Sequence, residues 1–224
     1  MTTRIFLFVL LTALSAFGAP SQKTKAVRPC GMFSNMFVSR ESGDIGGMEL
    51  FFFLADKDYV LVLKAEGQLQ PPQILPVDIS GNSVQFTMKS HEGALQFRGT
   101  FSQTNLTGKF SDGSPLKLAR KKPLMMTTYS NLAFSKDSGD AMGMEIISFL
   151  ADTNYVLVLE GGGSLLPPRL VKAESQGGSL KFTIPSPDGT MRIFKGKESK
   201  LLLSGMFSGT NAPIRLPARK SVWE

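Results

Sequence analysis

One cysteine, one histidine and one tryptophan are all that 224 residues supply of three side chains that commonly anchor bridges, metals and stacked ligands. Cys30 alone excludes an intramolecular disulfide; in an oxidising compartment it leaves either a thiol or a bridge to another chain. Val27, Arg28 and Pro29 before it do not form a lipobox, so lipid attachment is not expected. His91, in the turn-like KSHEG, rules out a multi-histidine metal cluster and any duplicated histidine-dependent triad. It reads as a solvated turn residue. Gly161 to Gly163 precede SLLPP instead of a helix, so no phosphate-cradling loop is formed. No metal and no cofactor is expected.

Long apolar runs are equally scarce. Residues 5–14, IFLFVLLTAL, follow Arg4 and have the length of a secretory h-region, too short for a spanning helix. Ala16 and Gly18 supply the small residues for cleavage after Gly18. Residues 1–18 are therefore expected to be a signal peptide and the mature chain to be secreted, periplasmic or extracellular. Phe51 to Leu54 and Val60 to Leu63 are parted by Asp56, Lys57 and Asp58, so the mature chain is not expected to span a membrane.

Acidic residues are outnumbered, 18 against 25 Lys and Arg, for a formal charge of +7. Lys23, Lys25 and Arg28 lie in a polar stretch, 19–33, expected to be flexible. Only residues 117–122, KLARKK, are densely basic, and no aromatic is interleaved with them. No nucleic acid partner is expected, because single-strand binding calls for stacking platforms beside the cations. The run reads as a solvated strand end with weak attraction to anionic surfaces.

What the chain does have is a duplication. GMELFFFLADKDYVLVL, residues 47–63, returns as GMEIISFLADTNYVLVL, residues 143–159. At an offset of 96, 17 of the 29 positions from 35 to 63 are identical to their partners, including Asn35 with Asn131 and Glu49 with Glu145. Pro71 and Pro72 answer Pro167 and Pro168. After one inserted residue, Leu106, Gly108 and Phe110 answer Leu203, Gly205 and Phe207. This places repeat unit 1 at 34–122, a linker at 123–128 and repeat unit 2 at 129–224.

Within a unit the apolar period is two. Val84, Phe86 and Met88 alternate with polar residues, as do Leu180, Phe182 and Ile184. SGD, SGN and PDG supply turns between the runs. The expected fold is all-β: two tandem homologous antiparallel meander units, each a small β-barrel or sandwich of roughly seven or eight strands. Residues 97–110 and 193–207 carry glycines inside strands, and in that pattern resemble the bends of lipocalin-like and avidin-like barrels.

The shared acidic residues are the candidate chemistry. Asp44 and Asp140 close the SGD turns and are expected to hydrogen-bond local backbone, with a calcium or sugar contact as the alternative. A two- or four-residue loop at ADKD sets Leu54 opposite Tyr59. Glu49, Phe51 and Phe53 then share a face with Val60, Val62 and Lys64. That register pairs Glu49 with Lys64 but sets Glu145 against Glu160, which weakens a simple ion-pair role for the shared glutamate. Glu49 and Glu145 are thus the candidates for a carboxylate-dependent hydrolase, with no aromatic sugar platform beside them.

The opposite face of each hairpin is also apolar, so both faces require cover, at roughly 25 cal/mol per Å² removed from water. The cover is the sister repeat unit, a second chain or an apolar small molecule. Phe51, Phe52, Tyr59, Phe149 and Tyr155 are the expected ligand or interface residues. Trp223 is expected to pack against a barrel end, or to anchor a partner. Asn105 opens an NLT sequon. The sequence points to a secreted non-enzymatic binding or interaction protein. A carrier of a small apolar ligand in a barrel interior and a carboxylate-dependent hydrolase are the alternatives.

Overall fold

A computed structural model describes residues 29–186 and 188–223. Residues 1–18, expected to be a signal peptide, and most of the 19–33 stretch lie outside the described residues. The described residues form nineteen β-strands and no helix. Unit 1 holds β1 (Gly31–Ser34), β2 (Phe37–Val38), β3 (Ile45–Leu54), β4 (Asp58–Leu69), β5 (Gln73–Pro76), β6 (Asp78–Ser80), β7 (Ser83–Ser90), β8 (Gly93–Phe101), β9 (Asn105–Phe110) and β10 (Pro115–Arg120). Unit 2 holds β11 (Met126–Ser130), β12 (Ala133–Phe134), β13 (Ala141–Leu150), β14 (Asn154–Leu165), β15 (Arg169–Gln176), β16 (Ser179–Pro185), β17 (Met191–Glu198), β18 (Leu202–Phe207) and β19 (Ile214–Pro217). Among the described residues no helix is long and apolar enough to cross a membrane.

Each unit is an antiparallel sheet curled into a nearly closed barrel, which decides between barrel and sandwich. In unit 1, β1 pairs with β3 on one side and β10 on the other. β5 and β6 are two halves of one bent strand that pair with β4 and β7 respectively. In unit 2, β15 makes the same turn without a break, and closure rests on a bridge between Tyr129 and Ala218 and on the Arg219 N–H donating to the Thr128 carbonyl at 3.1 Å. β1, from Gly31, is a buried strand, so the flexible stretch expected over 19–33 does not extend through its last three residues.

About eight strands make a ring just wide enough for side chains to fill. Rings fill both interiors here. Phe86 stacks on Phe97 at 5.0 Å and Phe33 meets Phe52 edge-on at 5.8 Å; in unit 2, Phe182, Phe194 and Phe207 form a triangle with centroids 4.8 to 6.0 Å apart. The glycines inside strands make room for those rings. Gly99 pairs with Gly108 and Gly196 with Gly205. A Cβ on Gly108 would lie 2.6 Å from the tip of Phe97, and one on Gly205 2.5 Å from the tip of Phe194.

The hairpin register differs by one residue from the expected one. The turn has three residues, 55–57, closed by the Ala55 N–H donating to the Lys57 carbonyl at 2.8 Å, so Leu54 pairs with Asp58, Glu49 with Leu63 and Met48 with Lys64. A one-residue slip exchanges the faces of a strand. Leu50 and Phe52 thus join Val60 and Val62 inside barrel 1, while Phe51 and Phe53 join Leu61 and Leu63 on the outer face. In unit 2 the same turn pairs Glu145 with Leu159 and Met144 with Glu160. The expected Glu49–Lys64 pair and Glu145–Glu160 repulsion are both absent for that reason.

The outer hairpin faces belong to one core. Met32, Phe51, Phe53, Leu61 and Leu63 of unit 1 cluster with Leu132, Ile147, Phe149, Leu157 and Leu159 of unit 2, all buried. This explains why β3 and β13 read as almost unbroken apolar runs: they are covered on both faces.

Candidate functional site

Glu49 and Glu145 project on the side of this shared core, and both are 0% exposed. Each sits opposite a serine on the neighbouring strand, Ser34 and Ser130. The adjacent Asn35 and Asn131 fix the local geometry: their side-chain oxygens accept the N–H of Met48 and Met144 at 2.8 Å, against Gly47 and Gly143 with φ of 98° and 94°. A Cβ at either glycine would lie within 3 Å of the asparagine. The shared Asn, Gly and Met thus position the shared Glu.

Each carboxylate grips a segment that arrives after its own barrel is complete. Glu49 Oε1 accepts the N–H of Leu124, in the connection between the units, at 3.1 Å, with Ser34 beside it. Glu145 accepts the Ser221 hydroxyl at 2.6 Å and the Val222 N–H at 3.3 Å, with Ser130 beside it. Lys121 lies near the first and Arg219 near the second. Lys121 with Leu124 therefore matches Arg219 with Val222. Burial raises the pKa of both carboxyls, against the lowering effect of these donors and cations. Oε2 of Glu49 is buried without a hydrogen-bond partner among the described residues. Enclosed and engaged in this way, the two glutamates act as clamps.

Of the expected ligand or interface residues, the structure gathers four at the shared core. Phe51, Tyr59, Phe149 and Tyr155 belong to it, and Phe52 lies on the other side of β3 inside barrel 1. Phe53 stacks on Tyr59 at 5.8 Å and Phe149 on Tyr155 at 6.0 Å, with Lys57 and Lys172 over the respective tyrosine rings. Burial and the neighbouring Asp56 push the Tyr59 pKa up to about 12.

The two barrel mouths differ, and sequence reasoning missed this site. In unit 2, Glu160 lies between Arg169, which bonds its Oε2, and Arg192, which donates to both oxygens at 3.0 and 2.9 Å. Their side chains are only 11%, 12% and 24% exposed, and Arg192 stacks on Phe207. Unit 1 has Lys64, Gln73 and Leu95 at these places. Gln73 keeps one function of Arg169: it bonds the backbone of Lys89, as Arg169 bonds the Pro185 carbonyl. Lys64 turns outward to Glu66 at 2.6 Å. The mouth of barrel 1 is consequently a cleft of about 300 Å³ with Val62 and Met88 at its base and Pro71, Pro72 and His91 on its rim. The signal lay in where the repeats disagree.

The remaining candidates are local. Ser39 and Ser42 hydroxyls hold the turn at Asp44, and Asp140 accepts the Ser138 hydroxyl at 2.6 Å. His91 is exposed, and Trp223 packs against Phe134 at 5.4 Å beside the shared core. Cys30 is half-buried, its carbonyl accepting from Arg120 at 2.6 Å. Among the described residues no group of three or more His, Cys, Asp or Glu is placed to hold a metal ion. No protein-family model and no curated protein matches the sequence.

Proposed function

We propose that this chain is a secreted, non-enzymatic binding or interaction protein whose two β units act as one body. The shared core supports this reading most directly, because it commits the hairpins to each other and leaves the barrel walls and mouths as the surfaces that meet partners. The glutamates lend no support to hydrolysis, since both are fully buried and Oε1 of Glu49 and both oxygens of Glu145 serve the connecting segment and the tail. Native mass spectrometry of the mature chain from its secretion medium is the test. A stoichiometric adduct, small molecule or second polypeptide, is expected. A bare chain that hydrolyses esters or glycosides, with the activity lost in E49Q or E145Q, overturns the reading.

The cleft at the mouth of barrel 1 favours a second reading, a carrier of a small apolar ligand, held at the mouth because rings fill the interior. Organic extraction and mass spectrometry test it; empty protein that also ignores hydrophobic dyes removes it.

A further inference from the structure

The basic residues of unit 1 are arranged more selectively than the sequence suggested. On β7–β10 the inward positions, Phe86, Phe97, Leu106 and Leu118 among them, fill barrel 1. The outward positions of these four strands carry Lys89, Arg98, Lys109 and Lys117, without a single Asp, Glu or aromatic residue. Arg98 and Lys109 are direct cross-strand partners, a placement that is unfavourable for a sheet left to itself. Lys117, on β10, is diagonal to Lys109, since Pro115 is the direct partner of Lys109. The row then runs off β10 into Lys121 and Lys122. There it meets a second basic segment, almost a hundred residues later in sequence: Lys122, Arg219 and Lys220 line one cleft of about 300 Å³ with Thr127 and Thr128. Lys122 and Lys220 are exposed and make no ion pair with a carboxylate among the described residues. Unit 2 keeps only part of the row: its outward positions carry Lys181, Lys195, Lys197 and Arg215, but Met206 stands where unit 1 has Lys109, and Lys181 is paired with Glu174.

We propose that this row, from Arg98 and Lys109 through Lys117 to the cleft of Lys122, Arg219 and Lys220, binds a sulfated polysaccharide. The inference rests on the binding-protein reading and names its partner. An extended chain of anionic groups matches a line of cations that ends in a cleft with hydroxyls to receive a sulfate. The face offers no ring to stack a base, which disfavours single-stranded nucleic acid, and its apolar groups are confined to the cleft end, at Pro123, Leu124 and Met126, too few to seat a bilayer surface.

The test uses the full mature chain from a non-glycosylating host and a fluorescent heparin-derived oligosaccharide, titrated by anisotropy at several salt concentrations. K109A/K117A and K122A/K220A are each expected to weaken binding by about tenfold and to flatten its salt dependence, because fewer counterions are released. K136A/K200A removes the same charge from exposed positions off the row and is expected to change affinity by less than about twofold. Equal losses in all three variants overturn the proposal in favour of net charge. Tighter binding of duplex DNA or anionic vesicles than of the oligosaccharide overturns it as well. If the wild type does not bind the oligosaccharide, the proposal fails, while adducts in native mass spectrometry decide the broader reading separately.

Discussion

Phe51 and Phe52 are neighbours on β3, both almost fully buried, and they belong to different cores. Phe51 stacks on Phe53 at 5.6 Å within the core shared by the two units; Phe52 meets Phe33 edge-on inside barrel 1. Truncating either to alanine removes a ring from a packed site and leaves a cavity, at a cost of about 3–5 kcal/mol. In a chain of this size that corresponds to a fall in Tm of roughly 6–20 °C. The two variants should be about equally destabilised and differ in where. Native-state hydrogen exchange read by mass spectrometry separates them. F51A is expected to lower protection in β13 and β14, although the substitution lies in unit 1, because Phe149, Leu157 and Leu159 lose a packing partner. F52A is expected to lower protection chiefly in β7–β10. Identical footprints, both confined to unit 1, would refute the shared core and the single-body reading built on it.

The buried glutamates carry a pH signature with a definite sign. Burial raises both pKa values, so the folded state holds protons that the unfolded chain releases, and their contribution to stability is fully present below the unfolded pKa and lost as pH rises through the folded one. The urea midpoint of E145Q, measured relative to wild type, should therefore rise from pH 4 to pH 7; a constant difference contradicts it. E160Q leaves Arg169 and Arg192 with no counter-charge in a mostly buried site and should cost about 3–5 kcal/mol by chemical denaturation, whereas E160K/R169Q/R192L, which installs the residues of unit 1, should cost less. G108A forces a methyl group against Phe97 and the Arg98 carbonyl and should destabilise by about 1–3 kcal/mol, seen as a lower urea midpoint with an unchanged m-value.

The alternation of Val84, Phe86 and Met88 and the glycines within strands were enough to indicate small curled sheets, because in-out alternation is a local property of a strand. The hairpin register was not local. An odd three-residue turn fits the ADKD sequence as readily as an even one, and that single residue decides whether Phe51 or Phe52 faces the barrel. With it went the surroundings of Glu49: its contacts come from Leu124, 75 residues away, and those of Glu145 from Ser221 and Val222, 76 and 77 away, separations that no periodicity encodes. The need to cover two apolar faces was legible, since a run such as MELFFFL cannot be satisfied from one side. The Glu160 cluster was hidden by the habit of seeking function where repeats agree; Lys64, Gln73 and Leu95 mark it by difference.

The shared core also has a consequence in time. During synthesis Glu49 meets its clamp once Leu124 has emerged, so barrel 1 can close while unit 2 is still unmade. Its outer face of Phe51, Phe53, Leu61 and Leu63 then stays uncovered until the second hairpin, β13 and β14, has followed. For that interval the nascent chain is a closed barrel with one adhesive side. Holdase chaperones would engage it there, and products interrupted between the units would aggregate through it.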